Sequence, residues 1–167
     1  MTRIEAVTTK QDIDYTVNLA KTIWQQHYLS IIGQEQIDYM LDKFQSPAAI
    51  SQQIDSGYLY YLATHGDNHA GYLALVPDET QSRLMISKIY VDATIRGVGI
   101  GRKMFEFTKD KARDLGLRSI WLTVNIHNTD SINWYLKQGF YKKDEVKADI
   151  GNGYFMDDYI LECLVDN

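Results

Sequence analysis

The sequence has one cysteine, two prolines and no apolar run near the roughly 18 residues that a bilayer-spanning helix requires. A single thiol excludes an internal disulfide. Cys163 sits in an apolar terminal segment, where a buried, inert role is expected. No excess of positive charge is present: 22 Asp and Glu stand against 17 Lys and Arg, for a formal charge of −5. A nucleic-acid binder would show a basic face, so no nucleic-acid partner is expected, and no membrane partner either. An acidic balance favours a cationic partner, or serves solubility alone. The first ten residues contain no apolar signal core, so a cytoplasmic location is expected. The four histidines and the acids show no metal-ligand spacing, so no metal site is expected.

What is present is globular in composition, at 45% hydrophobic and 23% charged, and 167 residues suffice for one domain over 1–167 with its own core. Residues 2–8 read as a strand. Thr9-Lys-Gln-Asp12 has the spacing of a capping box ahead of a helix running to about His27. Gly33 interrupts, and further helices are expected around Ile37–Leu41 and from Ser46-Pro47. Strands follow at 58–64, 70–76 and 84–91. A helix comes next, with apolar positions Ile100, Met104, Phe107, Ala112 and Leu115, closed by Gly116. Residues 118–125 form a strand, 129–138 a helix, and 140–149 with 154–165 a final hairpin. This order predicts an α/β (α+β) fold: one mixed, mostly antiparallel sheet of about seven strands with helices on both faces.

Two segments carry chemistry. In Lys88-Ile-Tyr-Val-Asp-Ala-Thr-Ile-Arg-Gly-Val-Gly-Ile-Gly-Arg-Lys103 a strand feeds a glycine-rich turn that opens a helix with no acid in its first turn. Alternating glycines let a backbone approach a ligand and turn its N–H groups outward, and the helix dipole adds positive potential. Arg96, Arg102 and Lys103 supply further charge, so a phosphate or pyrophosphate is the natural guest. The spacing fits neither the P-loop nor the dinucleotide fingerprint, in which two residues separate the last glycines. Taken alone, the segment reads equally well as a flexible connection.

The second segment is Asn128-Thr-Asp-Ser-Ile-Asn-Trp-Tyr-Leu-Lys-Gln-Gly-Phe140. Asn128 is expected to cap a helix on which Ser131, Ile132 and Tyr135 share one face. Arg96-x-x-Gly99-x-Gly101 resembles the Q/R-x-x-G-x-G/A motif of the GNAT acetyltransferase superfamily, and Asn128 to Phe140 resembles its second motif. The element order is similar to that family across essentially the whole chain. Within it, the C-terminal half is most similar to the PaiA-type spermidine/spermine N-acetyltransferases, through Ile120-Trp-Leu-Thr-Val124, Asn128–Phe140 and Gly151 to Asp157.

The resemblance implies acetyl-CoA as cosubstrate, lying in a cleft where the sheet splays between its fourth and fifth strands. Backbone N–H groups of Arg96, Gly97, Val98, Gly99, Ile100, Gly101 and Arg102 would hold the pyrophosphate, and Ile89, Tyr90 and Val91 would line the pantetheine arm. Asn128 would bond that arm, with Ser131 on the cofactor side and Lys137 toward a CoA phosphate. Tyr135 would protonate the departing sulfur; the alternative is a core tyrosine. The implied reaction moves an acetyl group to a primary amine by direct attack in a ternary complex, with a small amine or polyamine as acceptor. Alternatives are a protein N-terminus or lysine, an aminoglycoside, or a non-catalytic acyl-CoA sensor of the same fold. Relatives tend to carry an acid where this chain has Ile126. His127 or a water relay would replace it as base, or His127 is a surface histidine before the helix. His27, Tyr28 and Asp157 are the remaining candidates for the amine side, with Asp158 beside Asp157 as a second acid that could attract a polycation; interface and solvated-turn roles stand beside them. A homodimer through the terminal hairpin is a further family expectation.

Overall fold

A computed structural model describes residues 1–166. Strand β1 (Thr2–Ala6) precedes three helices, α1 (Lys10–Ile32), α2 (Gln34–Gln45) and α3 (Pro47–Asp55). Then come β2 (Leu59–His65), β3 (Asn68–Asp78), β4 (Arg83–Val91), a 3-10 turn (Ala93–Ile95) and α4 (Ile100–Asp114). The chain ends with β5 (Ser119–Asn125), α5 (Thr129–Lys137), β6 (Tyr141–Gly151) and β7 (Tyr154–Leu164). The seven strands run β1-β2-β3-β4-β5-β7-β6 across the sheet. β4 and β5 pair in parallel only through Arg83–Met85 against Ser119–Trp121, whereas β5–β7 and β6–β7 are antiparallel. A mixed seven-stranded sheet with helices is thus what the order of elements implied.

Local chemistry sets the boundaries. Thr9 accepts from the Asp12 N–H while the Asp12 carboxylate accepts from the Thr9 N–H, a reciprocal cap for α1. The helix continues to Ile32, five residues past its expected end near His27, because nothing interrupts it before Gly33 at φ +80°. Ser46 caps α3 through the Ala49 N–H, with Pro47 in the first turn.

Two compact units make up the chain, residues 1–76 with 87–108, and residues 77–86 with 109 onward. In the first, Ala20, Ile23, Ile37, Ile50, Leu73 and Leu75 form the core with Ile100, Met104 and Phe105 of α4. Leu84, Ile120, Leu122, Phe140 and Leu161 do so in the second. Along α4 the buried stripe is Ile100, Met104, Thr108 and Ala112, four residues apart. Leu115, expected inside, lies beyond the helix end and is exposed, and Phe107 packs at 4.7 Å on Tyr61 instead. Asp157 and Asp158, for which a solvated turn was one reading, lie within β7 opposite Lys147 and Val146. No described helix is long and apolar enough to cross a membrane.

Candidate functional site

The glycine turn is an exposed backbone cradle. Gly97 and Gly99 have φ of +88° and +81°, a region L side chains rarely adopt, and nothing lies within 4 Å of where a Cβ would stand on either. Residues 96–99 are all exposed, while Ile100 is buried and anchors the start of α4. The Lys103 N–H closes the first helical bond on Gly99 O, which leaves the amides of the first turn without helical acceptors. No acidic residue lies in that turn, and Arg102 and Lys103 are exposed beside it. An anion is what such an arrangement accepts.

The turn is tied down from α1. Arg96 Nη2 donates to His27 Nε2 at 2.6 Å, so the imidazole offers its Nε2 lone pair and keeps its proton on Nδ1. Burial lowers the His27 pKa; the Val91 carbonyl opposes this, and the Arg96 charge adds to the lowering. His27, expected on the amine side, therefore buttresses the loop. Gln26 reinforces it, bonding Asp92 Oδ1 and the Ala93 N–H. Asp92 also accepts from the Thr94 N–H and hydroxyl. Burial alone would raise its pKa, but these bonds and the Arg96 charge hold it below the ordinary value.

Behind the turn, the end of β4 rests on aromatic side chains. The Tyr28 and Tyr90 hydroxyls are 3.1 Å apart. Tyr90 also packs on the fully buried Tyr72, at 5.3 Å between ring centres. Tyr72 in turn accepts from Trp24 Nε1 and donates to Gln45 Oε1, so its buried hydroxyl is satisfied. Gly71 of β3 permits the close approach: a Cβ there would lie 2.6 Å from the Tyr90 carbonyl oxygen and 3.1 Å from Met104 Cε. Ile89, Tyr90 and Val91 are half-buried. The backbone leading into the turn is thus fixed before any ligand arrives.

The second motif folds as its pattern requires. Ser131 and Ile132 are half-buried, and Tyr135 below them on the same face is 8% exposed. The Tyr135 ring lies edge-on to Phe140 at 5.5 Å and to Trp134 at 5.4 Å. Asn128 stands at the helix start but makes no side-chain capping bond, contrary to expectation; with its ψ at 66° the side chain does not reach the first-turn amides. Lys137 is exposed. His127 is exposed as well, its backbone N–H donating to the Oδ1 of the buried Asn125 at 2.9 Å.

With the glycine turn and the Asn128–Phe140 segment both formed, the chain can be compared with known families. Residues 18–140 match the Acetyltransferase (GNAT) family. The chain belongs to it.

The GNAT relatives diverge widely in sequence. An uncharacterized N-acetyltransferase from the pepI 3′ region of Lactobacillus delbrueckii subsp. lactis is 30% identical over 65% of this chain and 65% of its own length. Streptothricin acetyltransferase of Streptomyces lavendulae is 34% identical over 55% of this chain and 48% of its own length. The chain thus spans between about half and just under two thirds of these curated relatives. Among solved structures, the PaiA N-acetyltransferase of Thermoplasma acidophilum in complex with coenzyme A superposes with a TM-score of 0.82. It is 18% identical and covers 98% of this chain and 99% of that one, a likeness of fold.

Three features of the GNAT domain are not visible in the motifs: one long-range pair, the environment of one acid already named, and one groove. The Arg96–His27 pair joins residues 69 positions apart, which no local spacing reveals. Asp158, half-buried on β7, has its pKa raised to about 6, by burial first and the Asp157 charge second. A groove of about 440 Å³ between α1 and α2, lined among others by Lys21, Gln25, Asp38 and Asp42, contains none of the motif residues. Among the described residues, no group of three or more His, Cys, Asp or Glu could hold a metal.

Proposed function

We propose that this chain is an acetyl-CoA-dependent N-acetyltransferase acting on a primary amine, with a small amine or polyamine as acceptor. The observation that carries this reading is the exposed Gly97–Gly99 turn opening an acid-free helix end, in a chain of the GNAT family. The residues fit the cofactor. Amides of residues 96–102 would hold its pyrophosphate, the β4 backbone at Ile89–Val91 its pantetheine arm, and the Asn128 side chain, not engaged in capping, would bond the same arm. Bound there, acetyl-CoA supplies an activated acyl group on a thiol leaving group.

The acceptor amine must be neutral at the moment it attacks. Its lone pair then forms the new C–N bond as the C–S bond breaks with its electron pair on sulfur. Tyr135 would give its hydroxyl proton to that sulfur, and the proton lost by nitrogen restores the phenol through solvent. Positioning both reactants on a pre-built backbone contributes the entropic part of the acceleration. Polyamines head the acceptor list because the chain carries a net charge of −5 and shares its fold with the PaiA enzyme. Streptothricin, the substrate named for one relative, is a second candidate.

Tyr135→Phe tests the reading. The Phe140 and Trp134 contacts survive in phenylalanine, so the fold and the acetyl-CoA affinity should persist while turnover falls about 100-fold or more. Unchanged turnover would remove Tyr135 from the reaction. Tight acetyl-CoA binding by the parent chain with no release of CoA to any amine would make it a sensor.

A further inference from the structure

A primary amine near pKa 10 is an ammonium at neutral pH, so something must take its proton before it can attack. This inference rests on the transferase reading above. The geometry points to Asp158 as the group that binds the acceptor's ammonium and accepts its proton.

Asp158 stands opposite Asn125 in the β5–β7 ladder, at the last pair of β5 before the chain turns toward α5. Cross-strand partners share a face, so both side chains lie on the side of the sheet that also carries Thr123 and Ile160. The opposite face holds Ile120, Leu122, Val124 and Leu161, all buried, and belongs to the core. On the Asp158 face, by contrast, Thr123 is exposed and Ile160 only half-buried. A carboxylate at the edge of a core would normally be paired. Here Asp158 Oδ1 is buried and has no hydrogen-bond partner. A buried anionic oxygen left unsatisfied is costly, and an incoming N–H donor would satisfy it.

The surroundings leave the carboxylate its own proton chemistry. Asn125 of β5 and Val146 of β6 face it directly, and neither ionises. Two pairs further along β6, on the same face, stands Asp144, opposite Ile160. Asp157 is adjacent on the same strand and paired with Lys147 on the other face. His127 follows two residues after Asn125 and is exposed. Burial and the Asp157 charge both raise the proton affinity of Asp158, which places its titration near pH 6. At neutral pH it is ionised and still basic enough to work. In the step assigned to it, an ammonium N–H bond breaks, its electron pair stays on nitrogen, and the proton passes to the carboxylate and on to water.

The test is the pH dependence of kcat/KM for CoA release, using whichever of spermidine, streptothricin or lysine reacts fastest. Wild type should fall tenfold per pH step below about 6 and level off above it. Asp158→Asn should lose about 100-fold or more near neutrality. Its rate should then climb steadily with pH, following the fraction of free amine, while its acetyl-CoA affinity stays unchanged. Asp158→Glu should restore the plateau in part. A wild-type profile that climbs through pH 6 without a break overturns the assignment with no variant needed. So does an Asn variant that keeps the wild-type plateau and rate. Wild type that binds acetyl-CoA but reacts with no amine would overturn the transferase reading itself, and the role of Asp158 with it.

Discussion

Lys88 on β4 is 7% exposed, and among the described residues no carboxylate is paired with it. Its ammonium meets three neutral acceptors: the Phe44 carbonyl oxygen at 3.0 Å, Gln53 Oε1 at 2.9 Å and the Tyr60 hydroxyl. Burial pulls its pKa from 10.5 down to about 7, which corresponds to a destabilisation on the order of 5 kcal/mol when both states are protonated. The sign follows from proton counting. Between about pH 7 and 10.5 the unfolded chain holds a proton that the folded chain has lost, so stability rises with pH across that window and the penalty is complete below it. Lys88→Met removes the charge without orphaning its neighbours, because Tyr60 still donates to Gln53 Oε1 and Gln53 Nε2 still donates to Phe44 O. The variant should therefore be more stable than wild type at about pH 6, by up to about 5 kcal/mol, with the gap closing by about 3 kcal/mol at pH 9. Urea unfolding of both proteins across that range measures the gap. In thermal melts the closure amounts to a relative shift of roughly 6–12 °C for a chain this size. A pH-independent gap, or a variant less stable at pH 6, would show that the three acceptors offset the burial of the charge, and the reasoning would fail.

Two further substitutions probe the site. Gly71→Ala brings a methyl 2.6 Å from the Tyr90 carbonyl, closer than atoms tolerate, so β3 and β4 must part. A loss of about 1–3 kcal/mol in unfolding free energy and a weaker acetyl-CoA affinity are expected; wild-type values for both would contradict the rigid approach of these strands. Gly99→Ala meets no atom within 4 Å, but a φ of +81° strains any side chain by about 1–2 kcal/mol. Calorimetric titration should show acetyl-CoA affinity reduced tenfold or more with the remaining fold intact, and undiminished affinity would separate the turn from the ligand.

Local patterns foretold the elements closely, because caps and punctuating residues act over a few positions. Thr9 with Asp12, Ser46 with Pro47, and Gly116 all stand where the helices start or stop. Three functional details depended on distant partners and were not legible. His27 reads as an amine-side residue until Arg96 is folded against it. Asp158 reads, with Asp157, as a pair that attracts a polycation or as a solvated turn; only the β5–β7 register shows that it faces Asn125. Lys88 looks like any lysine within a strand; its burial follows from Phe44 and Gln53, 44 and 35 residues away. Asn128 failed in a different way: its residue type suits a cap, but its backbone angles do not deliver the side chain to the amides.

Whether this chain transfers acetyl groups is tested by incubating it with acetyl-CoA and spermidine, streptothricin or lysine, then weighing the amine by mass spectrometry while titrating free thiol. The reading predicts one added acetyl group on an amine nitrogen and an equal amount of CoA thiol, both saturating with acceptor. Acetyl-CoA bound but unchanged, with every amine recovered unmodified, would contradict it.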